Sequence, residues 1–169
     1  MAVNRKLGIL KPDPTAVLFR LIESRLRSDP VLGQVVKTWQ TWEGVPGDKI
    51  PPAPAMAPWV SLTPQPTAED FWSPETQSGW LTIRIDTLVP GTCVDDVLNL
   101  WGAFRSRLCP SPASDGAGEF YAALKTAGAK KGRIRMSQPL FDPSSDAGQD
   151  GAFRAVGSVS VEYWAVASS

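Results

Sequence analysis

The chain of 169 residues contains no histidine. That removes the side chain whose ordinary pKa lies nearest neutrality, and with it the commonest general base and the commonest metal ligand. Cysteine is nearly as scarce, with only Cys93 and Cys109, and they form no metal-ligand spacing. The two flank a segment of helical character. At about 1.5 Å of rise per residue they would stand roughly 24 Å apart. A disulfide tolerates a Cα separation of about 7 Å at most, so two reduced structural thiols are expected. An excess of charge of one sign is missing too. Lys plus Arg number 17 and Asp plus Glu number 17, so no global field draws the chain to nucleic acid or anionic lipid. No apolar run approaches the roughly 20 residues that cross a bilayer, and no membrane partner is expected. The stretch before Lys11 and Pro12 is too short for a secretory signal, which predicts a protein made and used without export. No P-loop, GxGxxG, GxSxG or CxxC pattern occurs. No metal, no cofactor and no enzymatic activity are expected.

What is present is the patterning of a single domain spanning residues 1–169. Hydrophobic residues make up 43% and charged residues 20%, enough apolar surface for a core without metals or disulfides. Asp13 can cap a helix that begins at Pro14 and runs to Arg27, with an apolar stripe of Leu18, Leu21, Ile22 and Leu26. Ser28-Asp29-Pro30 ends it, because the residue before proline avoids helical angles. Residues 35–43, "VVKTWQTWE", favour a strand. Residues 45–58 hold so much proline that helix and central strand are excluded; an extended arm or long loop is expected there. A short strand follows at 58–64, then a loop at 67–78 carrying Phe71 and Trp72. Between Trp80 and Val89, apolar Leu81, Ile83 and Ile85 alternate with Thr82, Arg84 and Asp86, which marks a half-buried strand.

Pro90-Gly91 breaks that alternation, and helical spacing takes over from Cys93 to Leu108. Thr92 is placed as N-cap, with Asp95 at the capping-box position. Asp95 and Asp96 lie where the helix dipole favours negative charge, and Arg105 and Arg107 where it favours positive charge. Val94, Val97, Leu98, Trp101, Phe104 and Leu108 give the expected buried stripe. A short helix at 119–127 and a basic turn leading into a strand at 130–141 come next. A flexible acidic loop at 142–151 and a long strand at 152–167 follow, with Gly157 marking a bulge. Consecutive strands joined by loops predict an α+β domain. Its sheet is largely antiparallel or mixed, of about five strands, with two main helices on one face and the proline-rich arm at 45–58.

Three local constellations bear on chemistry. Asp86 and Glu162 could form an acid pair if their strands are neighbours; the plainer reading pairs them with Arg84 or Arg135. Cys109 has Arg105 and Arg107 nearby, which could lower its pKa, but no base accompanies it. Lys125, Lys130, Lys131, Arg133 and Arg135 form the one basic run, able to touch a nucleic-acid backbone with Phe or Trp stacking, or to serve as a charged face of a protein interface. Seven tryptophans are many for this length, and interfaces are enriched in Trp and Arg. Trp59, Trp72, Trp164, Arg133 and Arg135 are therefore the candidate residues of an interface between copies of the chain.

The element order, the length and the block "GWLTIRIDTLVPGTCVDDVLNLWGAFRSRL" (79–108) resemble the tail terminators, or tail-completion proteins, of tailed bacteriophages. The architecture is covered from about Thr15 to Ala167. The resemblance implies an α+β subunit that forms a hexameric ring in the virion, capping the tail tube and joining it to the head. Its partners would be copies of itself, the tail tube protein and the head-tail connector or stopper, with DNA passing through the lumen without sequence-specific binding. Another neck or head-completion component is the nearest alternative. A nucleic-acid-binding module using residues 125–135 is the alternative of a different class.

Overall fold

In a computed structural model, which describes residues 13–41, 58–65, 78–90, 94–141 and 152–164, helix α1 spans Pro14–Arg27. Asp13 caps it as expected, its carboxylate accepting from Thr15 N at 2.8 Å. The buried side is Leu18, Phe19, Ile22 and Leu26, with Leu21 only partly covered. Glu23 is also buried, and its two oxygens accept from Arg20 (2.8 Å) and Arg27 (2.9 Å). Pro30 does more than end α1. It occupies the first turn of a second, short helix, α2 (Pro30–Val35), whose N-cap is Asp29. A proline that cannot continue one helix is well suited to begin another, since its missing N–H is an orphan there anyway. Of the strand expected at 35–43, Thr38–Thr41 form β1 while Val35 ends α2; Trp42 and Glu43 lie outside the described residues.

The remaining strands are β2 (Trp59–Gln65), β3 (Ser78–Pro90), β4 (Ala129–Met136), β5 (Leu140–Phe141) and β6 (Ala152–Trp164). They form one 6-stranded sheet in the order β1-β2-β3-β6-β4, with β5 paired to β6. β1 and β2 are parallel and all other pairs antiparallel, so the sheet is mixed and the fold is α+β. Parallel pairing excludes a hairpin between β1 and β2; the proline-rich arm expected at 45–58 lies, except for Pro58, outside the described residues.

β3 and β6 are the centre. They pair without interruption from Ser78↔Trp164 to Pro90↔Ala152. This register corrects the bulge expected at Gly157, which sits opposite Ile85 in unbroken pairing. The irregularity lies in β4, between Ala129 and Ile134, whose β6 partners are Tyr163 and Val161. Gly157 has another use. A Cβ there would stand 2.5 Å from Trp101 Cη2, so the indole packs directly on the β6 backbone. The buried Trp101 Nε1 donates to Thr87 Oγ1 (3.2 Å), and that hydroxyl donates to Ala155 O (3.0 Å). One hydroxyl thus satisfies the ring's donor inside the core.

Trp101 belongs to α3 (Val94–Leu108), and α4 (Ala117–Thr126) leads into β4. The buried residues of α3 are Val97, Leu100, Trp101, Phe104 and Leu108. The expected stripe included Val94 and Leu98, which are instead 40% and 46% exposed. The stripe is centred between Leu100 and Trp101, which puts Leu98 about 100° round the helix. The expected cap Thr92 lies outside the described residues. The helices cover one face of the sheet. Leu18, Ile22, Trp101 and Phe104 join Leu81, Ile83, Ile85, Val159 and Val161 in one core. No helix among the described residues is long and apolar enough to cross a membrane.

Candidate functional site

The side of the sheet away from the helices carries the polar members of the alternation. On β3 these are Trp80, Thr82, Arg84 and Asp86. Directly opposite on β6 stand Glu162, Ser160, Ser158 and Val156. The Thr82 and Ser160 hydroxyls lie 3.2 Å apart. Arg135, opposite Ser160 on β4, lays its guanidinium over the Trp80 ring at 4.8 Å from the centroid. Lys130 Nζ is 4.6 Å from the Trp164 centroid and donates to Glu162 Oε1 at 2.8 Å. Cation–ring pairs of this kind contribute about 0.5–1 kcal/mol when exposed. A shallow depression of about 440 Å³ lies here between Trp80, Arg135 and the hydroxyls of Thr82, Ser158 and Ser160.

The acid pair considered for Asp86 and Glu162 does not form. Their strands are neighbours, but Asp86 is opposite Val156 and Glu162 opposite Trp80, roughly 20 Å apart along the strands at about 3.4 Å per residue. Asp86 is held by Arg154, Nε to Oδ1 at 3.0 Å and Nη2 to Oδ2 at 2.7 Å, with Arg84 Nη2 at 3.2 Å. Arg84 was an expected partner. The two-pronged grip of Arg154 was not legible, because only the β3–β6 register sets Arg154 diagonally across from Asp86. Glu162 takes Lys130, not Arg135.

Cys109 is a free thiol, half-buried, with Sγ 3.4 Å from Ile134 O. Burial pushes its pKa up, and Arg105 only partly opposes that. The lowering considered from the nearby arginines is therefore outweighed, and a thiol held neutral is a poor nucleophile. Cys93 lies outside the described residues. Among the described residues, no group of three or more Cys, Asp or Glu side chains is placed to hold a metal ion.

The interface candidates separate. Trp164 is 44% exposed and Arg135 is exposed. Trp59 is 6% exposed, buried within the subunit on a strand flanked by β1 and β3. Arg133 lies in the irregular part of β4, and its side chain, like all of Trp72, falls outside the described residues. Residue-type reasoning missed two apolar surfaces. On the first, Val31 (53% exposed) and Val35 (48%) of α2 border a groove of about 370 Å³ against α3. On the second, Leu140 (73%) and Phe141 (40%) form β5 at the opposite edge of the sheet from β1. The signal in the sequence is weak: Val31 follows Pro30 with Val35 one helical turn on, and Leu140 and Phe141 follow Pro139. No protein-family model matches the chain, and no curated protein gives a significant match to it.

Proposed function

We propose that this chain is a structural subunit that joins copies of itself into a closed ring, as a tail terminator does at the end of a phage tail tube. The observation that carries the reading is the pair of unlike apolar surfaces on one subunit, the α2–α3 groove and β5. A head-to-tail contact needs two different patches on each copy, and it closes into a ring when the rotation between copies divides a full turn a whole number of times without a rise along the axis. On this reading the ring is a hexamer of the virion, its partners are the tail tube protein and the connector or stopper above it, and DNA passes through the lumen. Sedimentation of the purified chain across a wide concentration range, together with the mass of the assembly in particles, tests it. A discrete closed oligomer is expected, and a monomer under all these conditions refutes it.

The open sheet face favours a second reading, as a surface for nucleic-acid backbone. Arg135 on Trp80 and Lys130 on Trp164 put cations beside stacking rings. Binding that weakens steeply with salt is its signature. Loss of single-stranded DNA binding in Arg135→Ala, with the oligomer intact, would establish it.

A further inference from the structure

We infer that the groove between α2 and α3 of one copy receives the β5 segment, Leu140–Phe141, of the next; this rests on the ring reading above. The groove is bordered by Val31, Val35, Pro58, Val89, Leu100 and Ala103. It is apolar and open to solvent, with room for on the order of ten waters. Exposed apolar surface of this kind marks interaction sites on folded chains.

The occupant follows from what the other surface offers. β5 is an edge segment, the position whose unpaired backbone and exposed side chains invite another chain. Leu140 has the greatest exposure among the large hydrophobic side chains of the described residues. Its position is fixed beforehand. Ser137 N donates to Ser158 O at 2.9 Å, and Ser158 N donates to Ser137 Oγ at 2.8 Å. Arg105 Nη2 of α3 donates to Gln138 Oε1 at 2.9 Å. A segment already ordered loses little entropy on docking.

Charge agrees with the match. Asp96 is on the groove wall, and Asp95 beside it is exposed. Among the described residues neither has a cationic partner. Arg105, whose guanidinium reaches Gln138 two residues before β5, is exposed and has no carboxylate partner among the described residues. Charges of opposite sign, with no ion-pair partner among the described residues, therefore border the two apolar surfaces, and docking brings them together.

Two substitutions test the contact, Val35→Asp in the groove and Leu140→Asp on β5. Both sites are exposed, so each variant keeps the far-ultraviolet circular dichroism and melting of the parent. Each alone is expected to raise the self-dissociation constant tenfold or more. Mixed in equal amounts, they form a dimer and nothing larger, because the intact groove of the Leu140→Asp copy accepts the intact β5 of the Val35→Asp copy. Association undisturbed by either substitution overturns the inference and leaves the ring reading standing. So does disruption by only one of them, or a mixture that stays monomeric. A parent chain that never associates overturns both.

Discussion

A carboxylate that caps a helix and also holds a guanidinium is stabilised in its ionised form from two sides, and Asp29 is in that position. Its Oδ1 accepts from Val31 N and Leu32 N, each at 3.0 Å, and its Oδ2 is paired with Arg107 of α3. Burial alone would raise its pKa; the bonds from Leu32 N, Arg107 and Val31 N together hold it below the ordinary aspartate value of 3.8. The folded-state pKa is thus below the unfolded one. The stabilisation is fully present above about pH 4 and is lost as pH falls through the depressed value. Asp29→Ala is expected to cost about 1–2 kcal/mol by denaturant titration at pH 7, most of it the cap. Asp29→Asn keeps a capping oxygen and should flatten the acid limb of the stability curve. At Gly157 the argument is steric. A methyl group there meets the Trp101 ring at 2.5 and 2.8 Å, so Gly157→Ala should destabilise by roughly 1–3 kcal/mol. Adding Trp101→Phe removes the overlapping atoms. A double-mutant cycle should then show Gly157→Ala costing less in that background, and strict additivity would mean that the indole is not what the glycine accommodates.

Helix α3 shows how far periodicity reaches at the scale of an element. Its existence, its end at Leu108 and the burial of Val97, Trp101, Phe104 and Leu108 were all legible, because apolar spacing alone sets them. The exact rotation of the stripe was not. Leu98 and Leu100 are the same residue type two positions apart, and only the packing of α3 on α1 and β6 decides that Leu100 is covered and Leu98 is not. Leu98→Lys is therefore expected to change stability by no more than about 0.5 kcal/mol, while Leu100→Ala costs about 2–5 kcal/mol. Equal effects in thermal melts would mean that the helix is rotated. The same limit explains α2, β5 and the interface candidates. Asp29-Pro30 reads equally well as a stop and as a start. Residues 130–141 read as a basic turn leading into one strand, but the structure divides them into β4 and β5, and nothing in the sequence marks Leu140 as lying at an edge. Residue type makes Trp59 an interface candidate, yet its exposure depends on strand order, which is a property of pairings distant in sequence. The pairing of Arg154 with Asp86 depends on the β3–β6 register in the same way.

Across the whole molecule the centre of the sheet is built from chain segments far apart in sequence. β6 lies between β3 on one side and β4 and β5 on the other, and it contributes Ala155, Val159, Val161 and Tyr163 to the core. A chain ended at Asp150 is expected to lose near-ultraviolet circular dichroism and cooperative melting altogether, since β3 and β4 are left without the strand that joins them. Retained cooperative melting would show that β1, β2, β3 and the helices suffice. The position of β6 also governs how the protein comes into being on the ribosome. β3 emerges early with Leu81, Ile83 and Ile85 on one side and an unpaired edge, and at roughly 5–20 residues per second the wait from Pro90 to Ala152 lasts on the order of several seconds. During that interval many nascent chains on one message hold the same sticky strand in close quarters. Holdase chaperones would be drawn to this window, and a message that slows translation between these two points would lower the yield of folded subunit without changing a single amino acid.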